Sequence, residues 1–186
     1  MNSSSPRVAV SNTGPLISAL QSNCMHILPQ LYDLIHIPAS ELQEYEKHGA
    51  GREVRELKDA GILIAHRDFT ESENNSAKTI SEEIAADHAT RDRDPAHHLP
   101  EAEAVVLTQR SGLGAVELLI DELAARNAAR KRGVPIIGFP GILIRAYQQS
   151  MMDAEDVRNA LEECQRQGTH YSPKLINEVC SGLKRR

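Results

Sequence analysis

Tryptophan is absent from this chain of 186 residues, and aromatic residues together make up 3% of it. That excludes the broad stacking platforms on which single-stranded bases are held, and leaves Leu, Ile, Val and Ala to build the core. Positive charge is also short, with 21 Lys and Arg against 26 Asp and Glu and a formal net charge of −5. Generic counterion-release binding to DNA is thereby disfavoured, so any nucleic acid must meet a local basic patch. Cysteine is limited to Cys24, Cys164 and Cys180, with no CxxC pair; neither a disulfide framework nor a Cys-rich zinc site is expected, and a cytoplasmic location fits. The longest apolar run, residues 134–144 (VPIIGFPGILI), is broken by Gly and Pro and falls short of a membrane span. The opening MNSSSPRVAV has no apolar leader region, so secretion and membrane insertion are both unexpected.

What is present is the composition of an ordinary globular protein, 40% hydrophobic and 25% charged. The length suits one domain, read here as residues 6–150, with a helical extension over 151–186 packed on it. Short β-branched or apolar runs at residues 7–11, 34–37, 61–66, 115–120 and 134–137 read as strands. Helical patterns lie between them at 16–20, 25–32, 40–48, 52–60, 101–109 and 122–132, and after them at 142–149, 153–168 and from 173 onward. Residues 68–100 are polar and read as loops flanking a loosely packed helix around 80–88. Strands alternating with helices imply a mostly parallel sheet covered on both faces, a three-layer α/β/α fold.

Ligands of such sheets bind beyond the carboxyl ends of the strands, where the strand order reverses. Asn12 and Asp121 are the polar residues immediately after two of the strands, Glu44 lies on the helix after the second strand, and Glu101 and Glu103 begin the helix before the fourth. Carboxylates converging there repel one another unless a hard cation such as Mg²⁺ neutralises them. Plainer readings stand beside this one: Asp121 as a helix N-cap, the three Glu as solvated surface charges, and Arg126 as the i, i+4 ion-pair partner of Glu122. Arg126 could equally grip a phosphate. The basic runs 130–132 and 184–186 read as a helix terminus and a solvated tail that could add a phosphate patch. His97 and His98 near Asp92 and Asp94 match no zinc spacing and read as a polar loop.

Taken in order, VAVSNTGPLI (8–17), IPASELQEY (37–45), LPEAEAVVL (99–107), LLIDELAARNAA (118–129) and IIGFPGILIRA (136–146) resemble the PIN-domain nucleases, as in VapC-type toxins of toxin–antitoxin pairs. The resemblance implies that Glu44, Glu101 and Asp121 are the motif carboxylates that hold Mg²⁺ or Mn²⁺, with Glu122 and Arg126 as auxiliaries. Asn12 stands where an Asp usually follows the first strand, and offers one neutral carbonyl oxygen instead. Thr13 matches a small hydroxyl residue of the same motif. Pro100 and Phe139 stand where Gly and Thr are frequent. The implied function is metal-dependent endoribonuclease cleavage of RNA by a homodimeric toxin held by a cognate antitoxin protein. The alternative is a catalytically silent module of the same fold that binds RNA or a protein partner, for which Asn12 is the best support.

Overall fold

The computed structural model describes residues 6–183, so the basic run 184–186 lies outside the described residues. Its strands are β1 (Val8–Ser11), β2 (Leu34–Pro38), β3 (Leu63–His66), β4 (Ala115–Leu119) and β5 (Ile136–Ile137), and they form one sheet in the order β3-β2-β1-β4-β5. Every pairing is parallel. Parallel neighbours need crossover connections, which the helices supply on both faces. The chain winds outward from β1 through β2 to β3, then returns to the other side of β1 as β4. The order therefore reverses between β1 and β4, and a crevice opens beyond their carboxyl ends.

Side chains alternate across the sheet and sort the interior into two layers. Ala9, Ile35, Ile37 and Leu119 face a core filled by α1 (Thr13–Gln21), α2 (Leu28–Leu31), α3 (Leu42–Lys47), α4 (Gly51–Asp59), α8 (Phe139–Gln148), α9 (Ala154–Arg166) and α10 (Pro173–Leu183). Val10, Leu118 and Ile120 face the opposite core with α5 (Glu71–Ala86), α6 (Leu99–Thr108) and α7 (Leu123–Lys131). This is the three-layer α/β/α arrangement expected. Aliphatic residues dominate both cores, yet Tyr32, Tyr45 and Phe139 are the bulkiest fully buried side chains. The few aromatics are thus spent on the interior, and two of them border the crevice.

Several elements differ from the sequence reading. The helix expected around 80–88 begins at Glu71, because Thr70 and Glu73 form a reciprocal capping box. Arg110 then ties Glu73 to the loop after β3 through its contacts to Glu73 Oε1 at 2.7 Å and the Asp68 carbonyl at 2.9 Å. The expected helix at 25–32 is a 3₁₀ turn, Met25–Ile27, followed by the four residues of α2. Residues 39–41 form a 3₁₀ turn before α3, and the last strand shrinks to two residues. Asp92 and Asp94 hold Pro95–His98 as a 3₁₀ turn, with His97 Nδ1 2.8 Å from Asp92 Oδ2.

Candidate active site

The backbone N–H of Asn12 donates to the Leu119 carbonyl at 3.0 Å, and that of Ile120 to the Ile137 carbonyl at 2.9 Å, which carries Asn12 and Asp121 together past the ends of β1 and β4. Asn12 is 4% exposed and caps α1, its Oδ1 accepting from the Gly14 N–H at 3.2 Å. Gly14 lies beside both, and a Cβ there would make ordinary contact, 3.5 Å, with Asn12 Oδ1 and the Asp121 Cβ.

Asp121 is bound at both oxygens. Oδ1 accepts from the Phe139 N–H at 2.9 Å and Oδ2 from the Tyr171 hydroxyl at 3.0 Å. The Phe139 N–H belongs to the first turn of α8, so the positive end of that helix faces the carboxylate. Burial pushes the Asp121 pKa up, against the pull of these two donors and of Arg126. Burial also pushes up the Tyr171 phenol, which stays protonated, donates to Asp121 and is free to accept from Ser18 Oγ at 3.0 Å. Arg126 turns toward this carboxylate and the Ile120 carbonyl, 3.4 Å away. Gly138 is the residue over which they meet: a Cβ there would stand 2.6 Å from both Arg126 Nη1 and Asp121 Oδ1.

Two plainer readings are corrected here. Glu122, and not Asp121, is the N-cap of α7, its carboxylate accepting from the Ala125 N–H at 2.6 Å. Glu122 is thereby occupied by the helix terminus, and Arg126 is not its ion-pair partner because the guanidinium faces the strand end instead. Arg132, from the basic run at the end of α7, pairs with Glu83 at 2.8 Å.

On the other side of Asn12, Thr13 connects two carboxylates. Its Oγ1 lies 2.9 Å from Glu44 Oε2 and 3.3 Å from Glu41 Oε2. One hydroxyl proton is shared between them, and the shorter contact to Glu44 is the stronger bond. Glu41 is 0% exposed; Oε2 also accepts from Tyr45 at 3.3 Å, while Oε1 has no partner. Burial, then Glu101 and then Glu44, push its pKa well up. Glu101, in the first turn of α6, likewise has a buried Oε2 without a partner. Burial pushes it up to about 7, with Glu44 and Glu122 adding to the rise and its own backbone N–H and His98 opposing it. Glu103 is taken up by Ser40.

The structure thus brings Glu44 and Glu101 together and adds Glu41, while Asp121 sits with Asn12, Arg126 and Tyr171. Among the described residues no three His, Cys, Asp or Glu side chains are gathered tightly enough to hold an ion as they stand. The donor chemistry nonetheless fits a hard divalent cation: every candidate donor is oxygen, and two buried carboxylate oxygens lack partners. Glu41 and Tyr171 escaped the sequence reading. Glu41 lies three residues before Glu44 on the same helical face, a spacing that could have pointed to it. Tyr171 is 50 residues from Asp121, and no local pattern joins them.

A family model described as DUF3368: PIN domain matches residues 8–185. Neither the curated proteins nor the solved structures offer a match. Among the described residues no helix is long and apolar enough to cross a membrane.

Proposed function

The chain belongs to the PIN-domain family, and from that premise we propose that it is a divalent-metal-dependent endoribonuclease, a VapC-like toxin with a cognate antitoxin protein. PIN domains are in general nucleases, so phosphodiester hydrolysis is the coarse activity that membership carries. The observation that carries the finer reading is the concentration of carboxylates on both sides of Asn12 at the switch point of the sheet, Glu41 fully buried and Glu44, Glu101 and Asp121 partly so.

In this reading Glu44, Glu101 and Asp121 hold Mg²⁺ or Mn²⁺. The ion, when bound, would neutralise these carboxylates and stabilise the charge that builds on the phosphate oxygens. Thr13 fixes the rotamer of Glu44 through its hydroxyl. Phe139 N–H and Tyr171 OH hold the Asp121 carboxylate in one orientation, which spares reorganisation during the reaction. Arg126, half-buried beside Asp121, offers a planar guanidinium to a phosphate. Asn12 presents a neutral amide at the centre of the crevice, and Glu122 adds negative charge next to Glu101. A homodimer in the cytoplasm completes the proposal.

A second reading, a silent module binding RNA or a protein partner, is favoured by Asn12, whose carbonyl oxygen is engaged in capping α1. Incubation of the purified protein with RNA in Mg²⁺ or Mn²⁺, with EDTA as control, separates the two. Cleavage that stops with EDTA supports the nuclease. RNA retained intact under every condition supports the silent module.

A further inference from the structure

Glu41 is the one carboxylate of this crevice to which the sequence assigns no role, and its setting is costly. A carboxylate removed entirely from water loses several kcal/mol of solvation unless an opposite charge or a full set of donors replaces it. Glu41 has neither. The charged groups facing it are Glu101 and Glu44, both of its own sign, and its two donors, Thr13 and Tyr45, both address Oε2 and leave Oε1 unpaired. A Gln would accept the same two hydrogen bonds without the repulsion, so the fold alone gives no reason for a charge here.

The remaining carboxylates supply one. Glu41 and Glu44 are three residues apart on the same face and share the Thr13 hydroxyl, and Thr13 follows Asn12 directly. Asn12 brings no charge to the crevice, whereas Glu41, whose proton a bound cation would displace, can bring one from the neighbouring element. We infer that Glu41 is a ligand of the divalent cation, supplying with Glu44 and Glu101 the negative charge that Asn12 does not. The inference rests on the proposed metal-dependent reading and adds to its ligand set: Glu41 would join Glu44 and Glu101 on the Thr13 side of Asn12, with Asp121, held by Phe139 and Tyr171, on the β4 side. Cation binding would draw Oε1 of Glu41 and Oε2 of Glu101, the unpaired carboxylate oxygens of this crevice, into use.

The test is Mn²⁺ binding to the full-length protein, followed by electron paramagnetic resonance of the free ion and by thermal melting with and without Mn²⁺. Glu41→Gln, which keeps both acceptor contacts, is expected to weaken Mn²⁺ binding at least about tenfold and to shrink the Mn²⁺-induced rise in Tm, while melting without metal stays level or rises. Glu41→Asp keeps the charge on a shorter arm; it is expected to bind Mn²⁺ more tightly than Glu41→Gln and more weakly than wild type, so that if the amide variant does not fold, wild-type affinity in Glu41→Asp overturns the assignment. Equal Mn²⁺ affinity in wild type and Glu41→Gln, or in Glu41→Asp and Glu41→Gln, overturns the assignment, as does a wild type that binds no Mn²⁺. RNA left uncut by a Mn²⁺-loaded wild type would remove the nuclease reading and leave the ligand assignment standing.

Discussion

Tyr171 reaches Asp121 from the turn between α9 and α10, and its hydroxyl is one of two donors that hold that carboxylate. Replacing it with Phe removes the bond to Asp121 and leaves Ser18 Oγ without its tyrosine partner. The expected cost is about 1 kcal/mol of stability, and a fall in kcat of about tenfold with KM little changed, because orientation of the carboxylate is lost and RNA contacts are not. Steady-state cleavage kinetics beside a thermal melt check both; an unchanged kcat would show that Phe139 alone suffices. At this scale the sequence disclosed what lies next to a strand end. Asn12 and Asp121 follow β1 and β4, and a polar residue in that position points at the switch-point crevice whatever its partners. Glu41 was hidden because a Glu in a short polar helix reads as solvated, and only packing against α1 and α6 buries it. Tyr171 was hidden because its partner is distant in sequence.

Helix termini set the geometry at the next scale. The start of α8 donates to Asp121, the start of α6 carries Glu101, and the start of α7 uses Glu122 as its own cap. The turn into α8 sets Gly138 against Arg126 and Asp121, whose side-chain ends occupy the space a Cβ would take. Its backbone is in ordinary extended conformation, φ −98° and ψ 171°, so an alanine meets no backbone strain there. Its methyl would instead collide with Arg126 Nη1 and Asp121 Oδ1. Gly138→Ala is therefore expected to keep its far-ultraviolet circular dichroism while cleavage falls by about a hundredfold, the scale of a 1 Å misplacement. Wild-type cleavage by the variant would mean that Asp121 needs no fixed position. Strongly periodic helices such as α9, with Val157, Ala160, Leu161 and Cys164 buried on one face, were legible from spacing alone. The first half of α5 was not, since Ala77 is its first buried residue and its start is fixed by the capping box. The short pieces at 25–31 and 39–41 follow tertiary contacts more than propensity.

Over the whole molecule, strand order decides where chemistry is placed. The alternation of apolar runs with helices implied a parallel sheet, and the reversal between β1 and β4 gathers residues from segments far apart in sequence at one crevice. Pairwise distances within the crevice depend on how both cores pack, which composition and periodicity do not specify. The last helix belongs to that packing: Ile176, Cys180 and Leu183 of α10 join the core behind β1. Each large apolar side chain of this kind contributes roughly 1.5–3 kcal/mol when buried, against about 5–15 kcal/mol for a whole domain. A chain stopped after residue 171 is thus expected to lose its cooperative melt; retention of a sharp transition near the full-length Tm would show that α10 is dispensable. Cleavage of RNA in Mn²⁺ by wild type and by identically purified Asp121→Asn tests the metal-dependent nuclease most directly. Wild type is expected to cleave, with activity abolished by EDTA and lost in the variant; equal cleavage by both, or cleavage indifferent to EDTA, would contradict that function.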